Sequence, residues 1–189
     1  MIMNPIPRSG LAVALLLLAA SAEATTLRAL DTRSLTRESS DIVIGAVTGV
    51  RSYWNDAHTR ILTDVSVDVR ETLAGGTATR LTLTQYGGEV DGVRVSVPGA
   101  PLFVPGEEAL LFVWRDATGR AQVNGLAQGK FDIERDAATG ERLVQRGVPG
   151  FAVRDVRTLR PLRQQEAAPR LRLDDLVREI HAALREADR

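Results

Sequence analysis

The sequence predicts an all-β protein, a small antiparallel barrel of the OB type or a sandwich, with an amphipathic helix at its C-terminus. Three observations predict this fold class. Residues 61–73 alternate apolar and polar side chains with a period of two, which is typical of a strand with one buried face. Roughly six to eight short strand-like runs alternate with turn signals. Residues 173–189 instead carry apolar side chains at helical spacing.

The first 24 residues have the pattern of a secretory signal peptide. Arg8 precedes an apolar run from Leu11 to Ala20, and the small residues Ala22 and Ala24 offer cleavage sites. The alternative, a transmembrane anchor, needs about 20 apolar residues, and this run is shorter. We therefore expect residues 1–24 to be removed. The mature chain, without a membrane span, is then exported to the periplasm or the cell exterior.

The composition limits which partners the protein can bind and how its fold can be stabilised. Basic and acidic residues number 24 each, so the formal net charge is zero, and the basic excess that marks nucleic-acid-binding proteins is absent. We therefore expect no nucleic-acid partner. Cysteine is also absent, which excludes disulfides and leaves the exported domain to be held by packing. The basic side chains are almost all arginine, and Lys130 is the only lysine.

The first elements of the mature chain are a short helix or turn and two strands. Spaced leucines among polar residues at 27–40 favour the helix or turn. Residues 41–50 are rich in β-branched side chains, which predicts a strand, bent or bulged at Gly45 or Gly49. The next strand, residues 61–73, has a predicted buried face made of Ile61, Thr63, Val65, Val67 and Val69.

Five further runs complete the predicted strands, and together these elements make residues 25–155 one barrel-like domain. Most of the runs alternate, but residues 109–114 are continuously apolar, which suits a strand buried on both faces. The runs are residues 80–86, 93–97, 109–114, 121–126 and 130–135.

A glycine-rich stretch, "QYGGEVDGVRVSVPGAPLFVPGEEALL" at 85–111, has two interpretations. A phosphate-binding loop would need a glycine turn that opens a helix after a strand, and here a strand-like run follows instead. The favoured interpretation is that Gly87, Gly88 and Gly92 supply positive φ or a bulge between strands. The pairs Pro98-Gly99 and Pro105-Gly106 each predict a type II turn.

The C-terminal region divides into a strap and a helix. Residues 156–172 are arginine-rich and interrupted by prolines, which predicts a linker or an extended strap. The helix predicted at 173–189 has an apolar stripe with two interpretations. The favoured interpretation is that the stripe docks on the chain's own domain, and the alternative is that it binds a partner. The stripe consists of Leu173, Val177, Ile180 and Leu184.

No catalytic or metal-binding constellation is evident from the sequence. The two histidines, His58 and His181, lie in a predicted loop and in the terminal helix, without the motif of a nucleophilic triad. Asp56 and His58 could supply two metal ligands, but zinc requires three or four. The sequence therefore indicates no catalytic residue, no metal and no cofactor.

The most suggestive surface feature is the loop "RSYWNDAHTR" at 51–60. Tryptophan, tyrosine and arginine are the residue types favoured at binding hot spots, and here they stand together in a polar loop. The alternative is that Trp54 packs on the end of the barrel. The candidate binding residues, from this loop and from the "GGEVDGV" connection, are Arg51, Tyr53, Trp54, Asn55, His58 and Glu89.

Four segments of the sequence carry a resemblance to known proteins. "SSDIVIGAVTGVRSYWNDAHTRILTDVSVDVRETLAG", "YGGEV", "VPGAPLFVPGEEALLFVW" and "NGLAQGKFDI" together resemble a family of uncharacterised secreted bacterial proteins, over about residues 27–133. The resemblance implies an exported β-domain and no assigned activity. A weaker architectural similarity is to OB-type barrels of netrin-like and metalloprotease-inhibitor domains. Those domains use disulfides and an N-terminal cysteine, which this chain lacks, so the inhibitor mechanism does not carry over.

The sequence thus favours an exported, non-enzymatic domain that binds a secreted protein or a cell-envelope ligand, and it leaves the oligomeric state open. The alternative is a secreted hydrolase whose site is assembled from residues distant in sequence, with His58 and a carboxylate in one cleft. A third hypothesis is an accessory domain that stabilises or spaces an envelope complex.

Overall fold

A computed structural model describes residues 30–76, 78–146 and 170–187 of the 189-residue chain. The predicted signal peptide, residues 1–24, and most of the predicted strap at 156–172 lie outside the described residues. Among the described residues, no helix has the length and apolar character needed to cross a membrane.

The fold is a closed five-stranded barrel with additional strands and a C-terminal helix, which confirms the predicted fold class. The barrel runs in the order β1-β2-β3-β7-β6 and closes because β6 also pairs with β1. All of its pairings are antiparallel except the one between β3 and β7. Its strands are β1 (Asp41–Trp54), β2 (Ile61–Ala74), β3 (Arg80–Tyr86), β6 (Glu108–Arg115) and β7 (Ala121–Val123).

The remaining strands extend or flank the barrel. The strand β8 (Lys130–Arg135) pairs with β6, β9 (Arg142–Arg146) pairs with β8, and β10 (Leu171–Arg172) pairs with β9. The strands β4 (Gly88–Val90) and β5 (Val93–Val95) form a separate two-stranded sheet. Sequence analysis did not predict β4, β9 or β10.

The long β1–β2 hairpin confirms the predicted bulges. The register between the strands shifts between Ile44 and Gly45 and again between Val47 and Gly49. Gly45 is required by a close approach, because a Cβ atom there would lie 2.6 Å from Val67 Cγ1. These bulges bend β1, so its first half closes the barrel with β6 while its second half continues with β2 alone.

Two hydrophobic cores lie on opposite faces of β6. Alternate side chains of this strand enter the barrel interior, where Leu111 and Val113 pack with valines and leucines of β1, β2 and β3. The intervening side chains Leu110 and Phe112 enter a second core beneath the helices. The predicted burial of residues 109–114 on both faces is confirmed for Ala109–Val113, whereas Trp114 is exposed.

Two helices cover the second core. The helix α1 (Thr32–Glu38) is capped by Asp31, whose Oδ1 accepts a hydrogen bond from Ser34 N at 2.7 Å. The helix α2 (Leu173–Ala187) docks on the chain's own domain, as the favoured interpretation predicted. Its buried residues are Leu173, Leu176, Ile180 and Ala183, while Val177 and Leu184 of the predicted stripe are partly buried at its margin.

Candidate functional site

The tip of the β1–β2 hairpin is a tight turn that Asn55 holds together. Its Oδ1 accepts hydrogen bonds from the backbone N–H groups of Thr59, at 2.8 Å, and Arg60, at 2.9 Å. Its own backbone N–H donates to the Arg60 carbonyl oxygen and its carbonyl accepts from His58 N. The side-chain oxygen of Asn55, a predicted binding residue, is therefore used to fix the turn.

Trp54 and His58 form one surface at this tip. Their rings are stacked, with centroids 6.1 Å apart and planes 13° from parallel. His58 has a φ of +51°, in the left-handed region, and the turn thereby brings its ring back beside Trp54. The stacked pair therefore forms one aromatic surface at the tip.

Arg51 and Tyr53 lie on the opposite face of β1, because side chains alternate along a strand. The Tyr53 hydroxyl donates to Asp64 Oδ1 at 3.2 Å, and the Thr84 hydroxyl donates to the same oxygen at 2.7 Å. Burial raises the pKa of Tyr53, and the Asp64 carboxylate raises it further. The Arg51 guanidinium carbon lies 5.9 Å from the centre of the Tyr53 ring.

Glu89 lies in β4 and forms an ion pair with Arg94 of β5, with 2.8 Å between Glu89 Oε2 and Arg94 Nε. The six predicted binding residues therefore divide among the two faces of β1, the turn and the β4–β5 sheet. The two predicted contact regions do meet, because a Cβ atom on Gly88 would overlap Ser52 Oγ. Gly87 N also donates to the Ile61 carbonyl oxygen at 2.9 Å, just beyond the loop.

A cleft of about 350 Å³ opens beside the β4–β5 sheet. Three chain segments line it: the end of β3 with the start of β4, the end of β5, and the segment between the two Pro-Gly turns. Of the predicted site residues, only Glu89 is among them. The lining residues are Gln85, Tyr86, Gly87, Gly88, Glu89, Arg94, Val95, Ser96, Val97, Ala100, Pro101 and Leu102.

Beside the cleft, a small polar cluster fixes the glycines. Thr63 Oγ1 donates to the Gly87 carbonyl oxygen at 2.7 Å and lies 2.8 Å from Ser52 Oγ. A Cβ atom on Gly88 would overlap both hydroxyls, and Gly88 has a φ of +132°. The lining residue Gln85 has a buried Oε1 that accepts no hydrogen bond from the described residues. The glycines thus serve turns and close contacts, as predicted.

The two Pro-Gly pairs form the predicted turns. Ala100 N donates to the Val97 carbonyl oxygen, Glu107 N donates to the Val104 carbonyl oxygen, and both turn glycines, Gly99 and Gly106, have positive φ. The connection from β3 to β6, residues 87–107, is anchored to the barrel where Val47 N donates to the Glu107 carbonyl oxygen. This connection is therefore a defined surface.

Exposed apolar side chains concentrate on this part of the molecule, and sequence analysis missed their role. Of eight large apolar side chains exposed among the described residues, five lie within residues 86–104. Leu102 is 63% exposed and Val104 is 60% exposed. The stretch "PGAPLFVPG" could have indicated this exposure, because two turns hold its apolar residues away from any regular strand. The five are Tyr86, Val93, Val95, Leu102 and Val104.

A buried ion cluster anchors the end of the connection. The only lysine, Lys130, is 3% exposed; its Nζ lies 3.0 Å from Glu107 Oε1 and also contacts Asp132 Oδ1. Glu107 Oε1 accepts no hydrogen bond from the described part of the chain, so its contact with Lys130 is an attraction of charges. The Phe103 ring covers the ammonium group at 5.1 Å. This cluster joins the connection to β8.

A second cleft, of about 750 Å³, lies between β9 and the start of α2 and is lined mainly by charged side chains. Its charges are largely paired within the lining, through Arg172 with Glu141 and Arg178 with Asp175. Neither cleft is lined by His58 or His181. Within the described residues, no group of three or more potential metal ligands is found.

Comparison of the chain with protein-family models, with curated proteins and with solved structures finds no match.

Proposed function

We propose that this protein is an exported, non-enzymatic binding domain that engages a protein or cell-envelope ligand through the connection between β3 and β6. The observation that carries the proposal is the concentration of exposed apolar side chains in residues 86–104. Three of these side chains, Tyr86, Val95 and Leu102, line the same cleft, and grouped apolar exposure usually marks an interaction site. Export is proposed from the signal pattern of residues 1–24.

The surface is also suited to binding because its backbone is held in place. Turns at Gly99 and Gly106, with hydrogen bonds from Gly106 to Val47 and from Ala127 to Gly99, fix the connection on the barrel. A surface ordered before binding avoids part of the entropy cost of association. The cleft volume of about 350 Å³ is within the range of ligand pockets.

The cleft lining supports binding over catalysis. It offers an ion pair, an amide, backbone groups and apolar side chains, and it pairs no hydroxyl with a histidine base. The hydrolase alternative requires a cleft that holds His58 with a carboxylate. His58 is instead exposed and stacked on Trp54, outside both clefts, so no observation favours that alternative.

Affinity capture tests the proposed surface. The bait is the chain from Thr25, exposed to the envelope and secreted fractions of the source organism. We expect a partner that Leu102→Asp loses and Leu171→Asp retains, because both leucines are exposed but Leu171 lies in β10, outside the connection. Trp54→Ala reports whether the hairpin tip contributes. Equal capture by both aspartate variants would remove the connection from the binding surface.

Export is tested by expressing the full chain in a bacterial host with an outer membrane and fractionating the cells. We expect a periplasmic or secreted product whose intact mass corresponds to an N-terminus at Glu23 or Thr25. A cytoplasmic product of full mass would contradict the proposal of export without bearing on the binding surface.

A further inference from the structure

The strand β5 has one partner and one free edge. Among the described residues it pairs with β4 alone, in a two-stranded sheet separate from the barrel sheet. A free strand edge presents backbone N–H and C=O groups that can pair with another strand. All three residues of β5 are exposed, so the described part of the chain leaves this edge open to solvent.

The turn that joins β4 to β5 decides which backbone groups face the free edge. Asp91 and Gly92 have φ values of +50° and +79°, which define a two-residue hairpin of the primed class. In such a hairpin the flanking residues Val90 and Val93 form a hydrogen-bonded pair, and the next pair along, Glu89 with Arg94, does not. The N–H and C=O of Arg94 therefore point away from β4.

The side chains around this edge define what it can accept. Val93 and Val95 share one face of the small sheet and are 46% and 41% exposed, and Val95 lines the cleft with Leu102. On the other face, Arg94 and Glu89 neutralise each other. The surface complementary to this edge is an extended segment with apolar side chains toward the valines and no net charge.

We propose that β5 binds an extended peptide segment of a partner protein as a third strand, with alternating apolar side chains directed at Val93 and Val95. The proposal rests on the proposed function and specifies its ligand and its mode of binding. Main-chain hydrogen bonds to Arg94 supply the pairing, and the valine face supplies the selectivity. A second copy of this chain is disfavoured, because symmetric pairing centred on Arg94 sets two arginine side chains directly opposite each other.

The experiment begins with a phage-displayed library of random eight-residue peptides, selected on the chain from Thr25. Enriched peptides are synthesised, and their Kd is measured by fluorescence anisotropy on the wild type, Arg94→Ala and Arg94→Pro. The alanine variant loses the side chain and keeps the N–H, whereas the proline variant also loses the N–H. Because that N–H has no partner in β4, proline is tolerated at this edge position.

We expect enriched peptides that alternate apolar and polar residues and bind Arg94→Pro about tenfold more weakly than Arg94→Ala. A second measurement uses wild-type protein alone. Two versions of the peptide are made, one methylated at the odd-numbered and one at the even-numbered backbone nitrogens. Only alternate N–H groups of a bound strand face the edge, so we expect one version to lose binding and the other to keep it. This measurement holds even if Arg94→Pro unfolds.

Three results would overturn the proposal: no enrichment, peptides insensitive to both Arg94→Pro and nitrogen methylation, or a wild-type dimer in sedimentation that Arg94→Pro dissociates. The last result would assign the edge to a second copy. Peptides that are insensitive to both Arg94→Pro and nitrogen methylation but lose affinity for Leu102→Asp would refute strand addition and leave the proposed binding surface standing.

Discussion

The two halves of β1 differ in what covers them. Residues 41–47 pair with β2 on one side and, through residue 46, with β6 on the other; all of them are buried except the half-buried Ala46. Residues 48–54 pair only with β2 and are exposed or half-buried. The first half lies between two cores, whereas the second half is covered on its inner face by the glycine-rich connection.

In the proposed function, this difference separates the part of the strand that stabilises the fold from the part that lies beside the binding surface. The helix-covered half, residues 41–47 with β6, places side chains in both cores, so we expect it to contribute most to the free energy of unfolding. The arm, residues 48–60, and the connection, residues 87–107, are positioned by hydrogen bonds and turns. Most side chains there are exposed or half-buried, which leaves them available for the proposed binding.

The largest expected difference between these regions comes from matched truncations. Phe112→Ala removes a fully buried ring that packs against Phe131 at 5.9 Å, so we expect a loss of about 3 to 5 kcal/mol of stability. Leu102→Ala truncates an exposed side chain and is expected to change stability by less than about 0.5 kcal/mol. Urea unfolding measures both, and similar losses would show that the connection belongs to the core.

A smaller effect is expected where the connection meets the arm. Gly88→Ala adds a Cβ that overlaps Ser52 and Thr63 at a φ of +132°, so we expect a loss of about 2 to 4 kcal/mol. Gly92→Ala is the control, since it also has positive φ but nothing lies within 4 Å of its Cβ. That variant is expected to lose about 1 kcal/mol by thermal unfolding. Equal losses would mean that the hydroxyl cluster moves aside freely.

The Lys130 cluster tests how firmly the connection is joined to β8. Lys130→Met leaves Glu107 and Asp132 without their cation, and we expect a loss of about 2 kcal/mol. The figure is below that for a fully buried pair because the carboxylate side chains are 22% and 36% exposed. Arg170→Met, which breaks a surface pair with Glu134, is expected to cost below about 0.5 kcal/mol in the same urea titration. A Lys130→Met chain as stable as Arg170→Met would contradict an anchoring role.

The smallest effect concerns Tyr53 on the outer face of the arm. Its pKa is raised in the folded chain, so as the pH rises the Tyr53 phenol stays protonated in the folded chain after it has ionised in the unfolded chain. Its contribution to stability is therefore complete below pH of about 10 and is lost as the pH rises further. We expect the absorbance at 295 nm that Tyr53→Phe removes to titrate above pH of about 10, and Asp64→Asn to lower that midpoint. A midpoint at or below the ordinary tyrosine value would contradict this environment.

The strands that could be predicted are those whose burial produces a local pattern of apolar residues in the sequence. Residues 61–73 alternate because one face of β2 packs in the barrel, and residues 109–113 are uniformly apolar because β6 contributes to two cores. The strand β9 was missed because it is an added strand in which only Val144 is buried. Barrel closure by β1 with β6, and the parallel contact of β3 with β7, join residues far apart and leave no local pattern.

The candidate site was predicted only in part for the same reason. The adjacent aromatic residues of the hairpin tip and the glycine pair at 87–88 are visible locally. The cleft forms only when Gln85, Val95 and Leu102 meet, and their separation in the sequence conceals that contact. Leu102 and Val104 were missed because apolar residues between turns usually indicate packing, and their exposure is a property of the folded connection.

The burial of Lys130 also decides how the protein reacts with amine reagents. Every other basic side chain, apart from the two histidines, is an arginine, and this lysine is 3% exposed and paired with two carboxylates. Succinimidyl esters are attacked by accessible amines, so the folded chain protects its only lysine from these reagents. Lys130 becomes reactive toward such reagents only as the fold opens, so its modification reports unfolding.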